Sequence, residues 1–372
     1  MEYRVYKYRI YPSDKQKICI INQFNICKQL YNELMALSID SYRFGNVYLT
    51  NFDFNNYISG KYFNIYSQVV QNVSDRVHKA FQNFFHRVND ISYKKKGFPR
   101  FKSRVNSITF SQTGYKFISN KQFYVSKIGK IPIILHRIPK GKLKTITIKC
   151  NSIGKWFVYL TCEVNFTKNV HTSNEKVGID VGIENFVTLS NGEKISNPRY
   201  FIKSEMKLRR LQRRLSRKLK GSNREKARLK LVKCHIKIVN QRNDFLHKLS
   251  SNLTSRFNKI FVEDLRISNM LISNYLSKHI NDASWGNFIQ MLSYKAVTGG
   301  GQLIKVNPRN TSKTCNKCGN ITEMSLKTRE FQCHYCGFAC HRDINASLNI
   351  VKGRAGLAQT NYTPVEDFVR PL

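Results

Sequence analysis

Acidic residues are scarce in this chain of 372 residues: 23 Asp and Glu stand against 63 Lys and Arg, a formal net charge of +40. Such an excess repels itself in the compact state and implies an anionic partner. Long apolar runs are missing too. None reaches the roughly 18 residues a spanning helix needs, and the opening "MEYRVYKYRIYPSDKQ" holds no signal-peptide apolar region. The expected partner is therefore nucleic acid rather than membrane, and the expected location intracellular. The bland alternative is a ribosomal or chromatin-like protein with a merely basic surface. No internal repeat or long low-complexity tract is present.

A disulfide framework is absent as well. Of ten cysteines, Cys19, Cys27, Cys150, Cys162 and Cys234 are scattered and read as small hydrophobes in a reduced compartment. Cys315, Cys318, Cys333, Cys336 and Cys340 crowd together. Cys315-x-x-Cys318 and Cys333-x-x-Cys336, fourteen residues apart, fit a Cys₄ zinc ribbon, with Gly319 and Gly337 allowing tight turns after each knuckle. A closed Cys₄ shell leaves no open position, so this Zn²⁺ is expected to be structural. Cys340 and His334 are spare potential ligands, and Cys340 reads as a bystander or a core residue. The ribbon would rigidify an insertion with little core of its own and fix the start of the helix that follows.

Along the chain, "YRVYKYRIYP" alternates like a strand, and the stretch from Asp14 to Asn89 has helical spacing. "SYKKKGFPRFKSR" is a basic loop, and residues 107–166 switch to strand period. Past a composition break at "NFTKNVHTSNEK", "KVGIDVGIENFVTLSNGEKISN" reads as strand, turn and second strand, closed by the hairpin signal Asn191-Gly192. Two helices follow, divided at Gly221. Leu208, Leu211, Leu215 and Leu219 mark the buried stripe of the first; Val232, Ile236, Val239, Leu246 and Leu249 mark the second. "KIFVEDL" and "GQLIKVNP" are strands around a helix, and "RDINASLNIVKG" is a last helix.

Asp180 in "GIDVG" and Glu263 in "FVEDL" lie inside apolar strands, and Asp343 in "RDINASLNI" opens a helix. A carboxylate in an apolar strand is costly to bury unless it is paired or ligates a metal. Singly, each has a plain reading: Asp180 capping a turn, Glu263 on an edge strand, Asp343 as an N-cap. Together, in a chain with few acids to spare, they point to a site for two Mg²⁺ ions that activate a water and stabilise the leaving oxygen of a phosphodiester. Asp264, which would point to the other face of the strand from Glu263, and Asp244 and Glu184, read as solvated, are excluded. Arg209, Arg210, Arg213, Arg214 and Arg217 crowd the polar face of the first long helix, where they suit phosphate contact better than a plain solvated face. The loop residues Lys94, Lys95, Lys96, Arg100 and Lys102, interleaved with Phe98 and Phe101, are a second candidate for backbone or stacked-base contact.

In order, "GIDVGIENFVTLSNGE", "RRLQRRLSRK", "NQRNDFLHKLS", "IFVEDL", "DASWGNF", "NPRNTSKTCNKCG" and "CHRDINASLNI" resemble the TnpB family of bacterial and archaeal insertion sequences, itself similar to the ancestors of type V CRISPR effectors. "YKYRIYP" and "GFPRFKS" extend the resemblance over nearly the whole chain. It implies a multidomain α+β protein: a wedge-like β-barrel at 1–13 and 104–170, interrupted by a helical recognition domain at 14–103. An RNase H-like (RuvC) α/β nuclease domain follows at 171–309 and 341–355, with the zinc ribbon inserted at 310–340 and a tail at 356–372 in which disorder is left open. The implied activity is RNA-guided DNA cleavage in a prokaryotic, nucleoid-associated setting. The guide RNA would derive from the element's own end, and the double-stranded target would be cut beside a short duplex motif. The family's catalytic acids fall on Asp180, Glu263 and Asp343, and its zinc ligands on Cys315, Cys318, Cys333 and Cys336. Asn310 departs from the aromatic common at its position. The alternatives are a non-cleaving regulator on the same scaffold and a transposase joining DNA ends.

Overall fold

A reciprocal cap decides where the first strand gives way to helix. After Pro12, Gln16 N–H donates to Ser13 Oγ and Ser13 N–H donates to Gln16 Oε1, so each side chain satisfies a backbone donor the other leaves open. In this computed structural model, strand β1 (Glu2–Ile10) therefore ends and helix α1 (Asp14–Gly45) begins. The structure describes residues 2–90, 96–164, 171, 173–272, 276–325, 328–353 and 360–361. Lys94 and Lys95, and most of the 356–372 tail, lie outside them. The chain divides into two compact units, Met1–Asn165 and Phe166–Leu372.

In the first unit the helical stretch is three helices, α1, α2 (Asn51–Ile58) and α3 (Ser67–Asn89). Val69, Val70, Val73, Val77 and Phe81 bury one face of α3 at helical spacing. Strands β2 (Ser107–Ser111), β3 (Tyr115–Ser119), β4 (Gln122–Val125), β5 (Gly129–Ile134), β6 (Lys142–Cys150) and β7 (Trp156–Val164) join β1 in a seven-stranded antiparallel sheet of order β2-β6-β7-β1-β5-β4-β3. Period-2 alternation puts Tyr6, Tyr8 and Ile10 of β1 in the core with Ile146, Ile148, Val158 and Leu160.

The second unit starts with β8 (Lys176–Val181), β9 (Asn185–Leu189) and β10 (Lys194–Ser196), antiparallel neighbours. Gly192 takes φ 89° in the β9–β10 turn, as the Asn-Gly pair predicts. Helices α4 (Tyr200–Ser216) and α5 (Ser222–Arg256) form a hairpin around Leu208, Leu231 and Ile238. Leu219 does not continue the stripe: α4 ends at Ser216, and Leu219 is 91% exposed. On α5 the fully buried apolar positions are Ala227, Leu231, Ile238, Leu246 and Leu253. Val232, Ile236, Val239 and Leu249 are half-buried beside that stripe.

Then come β11 (Lys259–Glu263), the short α6 (Ile267–Met270) and α7 (Ser277–Ala283), α8 (Trp285–Thr298) and β12 (Gln302–Val306). β11 pairs parallel with both β8 and β12, and the two-residue β15 (Thr360–Asn361) pairs antiparallel with β12, giving the order β10-β9-β8-β11-β12-β15. Strands β13 (Glu330–Gln332) and β14 (Ala339–His341) form a separate hairpin before the last helix, α9 (Arg342–Lys352). Val177, Ile179, Ile260 and Val262 share a core with Leu246, Leu253, Phe288 and Leu292 of α5 and α8. By alternation Gly178, Asp180, Phe261 and Glu263 look to the opposite face, which α9 covers. Among the described residues no helix is long and apolar enough to cross a membrane.

Candidate active site and metal centre

Gly178 brings the third acid to the other two. A Cβ at this position would lie 2.0 Å from Ser347 O and 2.8 Å from Val351 N, so α9 rests directly on the strand backbone. Asp343 is one helical turn before Ser347, and Asp180 is two strand residues beyond Gly178. Both steps span about 6 Å, which carries Asp343 to the carboxyl end of β8. Glu263 closes β11, one step past the in-register pair Ile179–Val262, and so stands beside Asp180 on the same face. Sites in open α/β sheets gather outside the carboxyl ends of parallel strands, and all three acids meet there.

Their electrostatics record the meeting. Burial pushes the Asp180 carboxyl well above the usual range, and the charges of Glu263 and Asp343 push it further, with Arg342 opposing. Burial also raises Glu263, against a lowering hydrogen bond from Thr311 Oγ1 to Glu263 Oε1 (2.5 Å). Carboxylates are the hard oxygen donors a divalent cation takes, although among the described residues the four cysteines of the ribbon are the group of three or more ligating side chains whose donor atoms close round one position. Asp343 is not the N-cap of α9. His341 takes that place, its Nδ1 accepting from Asp343 N–H (3.3 Å), and Asp343 sits in the first turn, where the helix dipole favours its charge. The excluded acids are paired on the surface: Asp264 with Lys305, Glu184 with Arg329, Asp244 with Lys248.

The four cysteines close on one ion position, their sulfurs all within 4.8 Å of one another. Cys315 Sγ lies 3.6 Å from Cys336 Sγ, and Cys318 Sγ 3.5 Å from Cys333 Sγ, near the spacing of about 3.8 Å that tetrahedral Zn–S bonds of about 2.3 Å impose. The knuckles are built alike. Gly319 N–H donates to Cys315 O and Gly337 N–H to Cys333 O, while Cys315 and Cys333 N–H donate to Asn320 O and Phe338 O. Both glycines have positive φ, 85° and 67°. Against its desolvation, N–H groups of Cys336 and Tyr335 and the thiols of Cys318 and Cys336 bring the Cys333 thiol down to about 6, toward the ligating thiolate. Cys340 packs into the ribbon's own core with Phe331 and Phe338.

Sequence reasoning missed the groups that tie ribbon to acids: Thr311, Asn345 and Asn349. Asn345 and Asn349 are 0% and 1% exposed and hold the segment that enters the first knuckle. Their spacing of four within "NASLN" was the available signal. Asn310, the departure noted above, adopts φ 60° at the turn into this segment, a conformation Asn tolerates.

Arg209, Arg210, Arg213 and Arg214 along α4 and Arg217 at its C-cap are exposed and, with Met206 and Lys218, line an open trough of about 690 Å³. Arg209 also pairs with Glu205 (2.8 Å). Asp282, 6% exposed, accepts from Phe201 and Ile202 N–H and from Arg242, and so caps the start of this arginine helix. In the first unit Arg100 is exposed, and Lys96 Nζ donates to Val88 O (2.7 Å). Lys102 is turned inward: its ammonium lies 3.8 Å over the Tyr31 ring, and burial and then Arg76 lower it to about 8. Phe98 packs edge-on against Phe81 and Phe84, while Phe101 stays exposed.

Comparison with known proteins gives the family. Residues 159–274 match a family model described as "Probable transposase", residues 285–350 a "Cas12f1-like, TNB domain" and residues 1–46 a "Helix-turn-helix domain", a stretch that here holds β1 and the single helix α1. A Streptomyces pristinaespiralis protein named "Putative RNA-guided DNA endonuclease" is 34% identical over 387 residues, spanning 99% of this chain and 92% of that one. InsQ of Escherichia coli (strain K12), named in the same way, is 30% identical over 95% of this chain and 93% of its own. In fold, the chain resembles CasPhi-2 (Cas12j) bound to crRNA and phosphorothioate-DNA, with a TM-score of 0.51 at 10% identity over 97% of this chain and 93% of that one. With relatives at this identity along nearly its whole length, the chain belongs to the TnpB family encoded by insertion sequences.

Proposed function

We propose that this protein is an RNA-guided DNA endonuclease, cutting a double-stranded target beside a short duplex motif and working in the prokaryotic cytoplasm at the nucleoid. The carrying observation is the convergence of Asp180, Glu263 and Asp343 at the carboxyl ends of β8 and β11, where burial and the charges of Glu263 and Asp343 raise the Asp180 carboxyl. Two Mg²⁺ ions, when bound, supply Lewis-acid stabilisation of the charge that builds on the phosphodiester. The three carboxylates would hold the cations, and the strand ends and α9 would fix where the scissile phosphate lies. The strand order around β8, with a hairpin on one side and parallel strands on the other, supports an RNase H-like (RuvC) reading of the second unit. The sheet and helices of the first unit support a wedge with a helical recognition insertion.

The arginine face of α4 supports contact with the phosphates of guide RNA or target DNA, without sequence preference. The four ribbon cysteines would hold a structural Zn²⁺ in a closed thiolate shell. RNA made from the element's end would serve as guide and neutralise much of the +40 charge. Three acids kept together count against a non-cleaving regulator. The test is a supercoiled plasmid carrying the guide-matched target, incubated with the protein–RNA complex and Mg²⁺. A linear product supports the proposal, and protection without cutting refutes it.

A further inference from the structure

Helix α9 buries amides that packing alone does not require. Asn349 Nδ2 donates to Thr311 O (2.9 Å) and Thr314 O (2.6 Å), and Asn345 Nδ2 donates to Thr314 O (2.8 Å) while its Oδ1 accepts from Asn316 N–H (3.0 Å). Asn349 Oδ1 is buried with no partner among the described residues. A buried acceptor left unmatched costs stability, and the two bonds made by Nδ2 offset that cost. That Nδ2 pins residues 311–314 along the helix that bears Asp343.

From this pinned run, the Thr311 side chain reaches Glu263. Thr311 is 4% exposed, and its hydroxyl lies 2.5 Å from Glu263 Oε1 and 3.2 Å from Pro308 O. A hydroxyl has one proton to give, and the shorter, charge-assisted bond to the carboxylate takes it. Glu263 needs such a restraint. It ends its strand on a long side chain, and the bond at Oε1 leaves Oε2 open to ligate.

We infer that Thr311 is the positioning residue for Glu263: clipped to α9 by Asn349, it fixes the Glu263 carboxylate relative to Asp180 and Asp343, and the zinc ribbon anchors the same run at its first knuckle. The inference rests on reading the three acids as a divalent-cation site. The continuous path runs from Cys315 through its neighbour Asn316, then Asn345, Thr314, Asn349 and Thr311 to Glu263. It makes ribbon and acids one assembly.

The experiment measures Mn²⁺ binding by electron paramagnetic resonance on the full RNA-bound protein, beside single-turnover cleavage of a matched duplex. Thr311→Val is expected to weaken Mn²⁺ binding and slow cleavage each by about 10–100-fold, the usual loss of a ligand-orienting partner. The half-saturating DNA concentration and the zinc content stay as in wild type. Thr311→Ser, which keeps the hydroxyl, restores both quantities. Thr311→Ala serves as the deletion should the valine variant fail to fold. Wild-type Mn²⁺ affinity and rate in the deletion, or a serine variant as impaired as the deletion, overturns the inference. If Asp180→Asn leaves Mn²⁺ binding untouched, the carboxylate-site reading fails and takes the inference with it. Binding that depends on Asp180 but is indifferent to Thr311 overturns the inference alone.

Discussion

One methyl group, placed by Gly178→Ala, tests the geometry of the site more sharply than removal of an acid. The added Cβ would meet Ser347 O at 2.0 Å, where real Cβ contacts essentially never fall below 3.0 Å. Its neighbours are backbone atoms of α9, so no side-chain rotation relieves the clash. The helix must retreat by about 1 Å, the difference between those two distances. Overpacking of this kind costs about 1–3 kcal/mol, and each kcal/mol lowers Tm by about 2–4 °C in a unit of this size. The retreat also carries Asp343 away from Asp180, and a misplacement of about 1 Å can cost about 100-fold in rate. Single-turnover cleavage in Mg²⁺ should therefore fall by about that factor, while guide-RNA and DNA binding hold. Gly97→Ala is the control, because a Cβ there meets nothing within 4 Å. Wild-type cleavage and Tm in Gly178→Ala would refute the claim that close packing of α9 on β8 sets the site.

Three further outcomes follow from the site and the surfaces around it. The folded Asp180 carboxyl titrates above its unfolded value, so the stability it contributes is complete below the unfolded pKa and lost as pH rises through the folded one. Asp180→Asn should accordingly raise the Tm of the metal-free protein at neutral pH, lose that advantage in acid, and abolish cleavage; calorimetry across pH reads the first two. Chelation of zinc, or Cys315→Ser, should lower Tm and stop cleavage together, with recovery when Zn²⁺ is returned to the chelated protein, followed by metal analysis and circular dichroism. Arg210→Ala and Arg214→Ala should each weaken nucleic-acid binding equally across sequences and reduce the salt slope by about 1, with Tm unchanged, as filter binding at several salt concentrations would show.

The sequence displays residues whose chemistry is at odds with their surroundings, and those are the ones it places well. An acid in an apolar strand and a pair of cysteine knuckles are anomalies in one dimension, and the structure brings each set together. Helix ends are legible for a related reason. Ser13 and Gln16 cap α1 through contacts three residues apart, and Asn191-Gly192 turns a hairpin within its own length. Leu219 misleads because its spacing continues a stripe that the backbone does not: the helix has stopped at Ser216.

The opposite error hides Asn345 and Asn349. A search for apolar periodicity assigns polar residues on a helix to solvent, yet this helix is covered on nearly every side, because Gly178 lets it lie against the sheet while residues 311–316 lie along it. Two amides four apart then face a run of backbone carbonyls and an N–H that no strand or helix satisfies. Backbone groups buried outside regular structure must find partners, and an irregular segment feeding a zinc knuckle cannot supply them from within. The amides on α9 are the consequence of the ribbon's insertion point. Thr311, one residue from the turn at Asn310, is where the clip touches the chemistry.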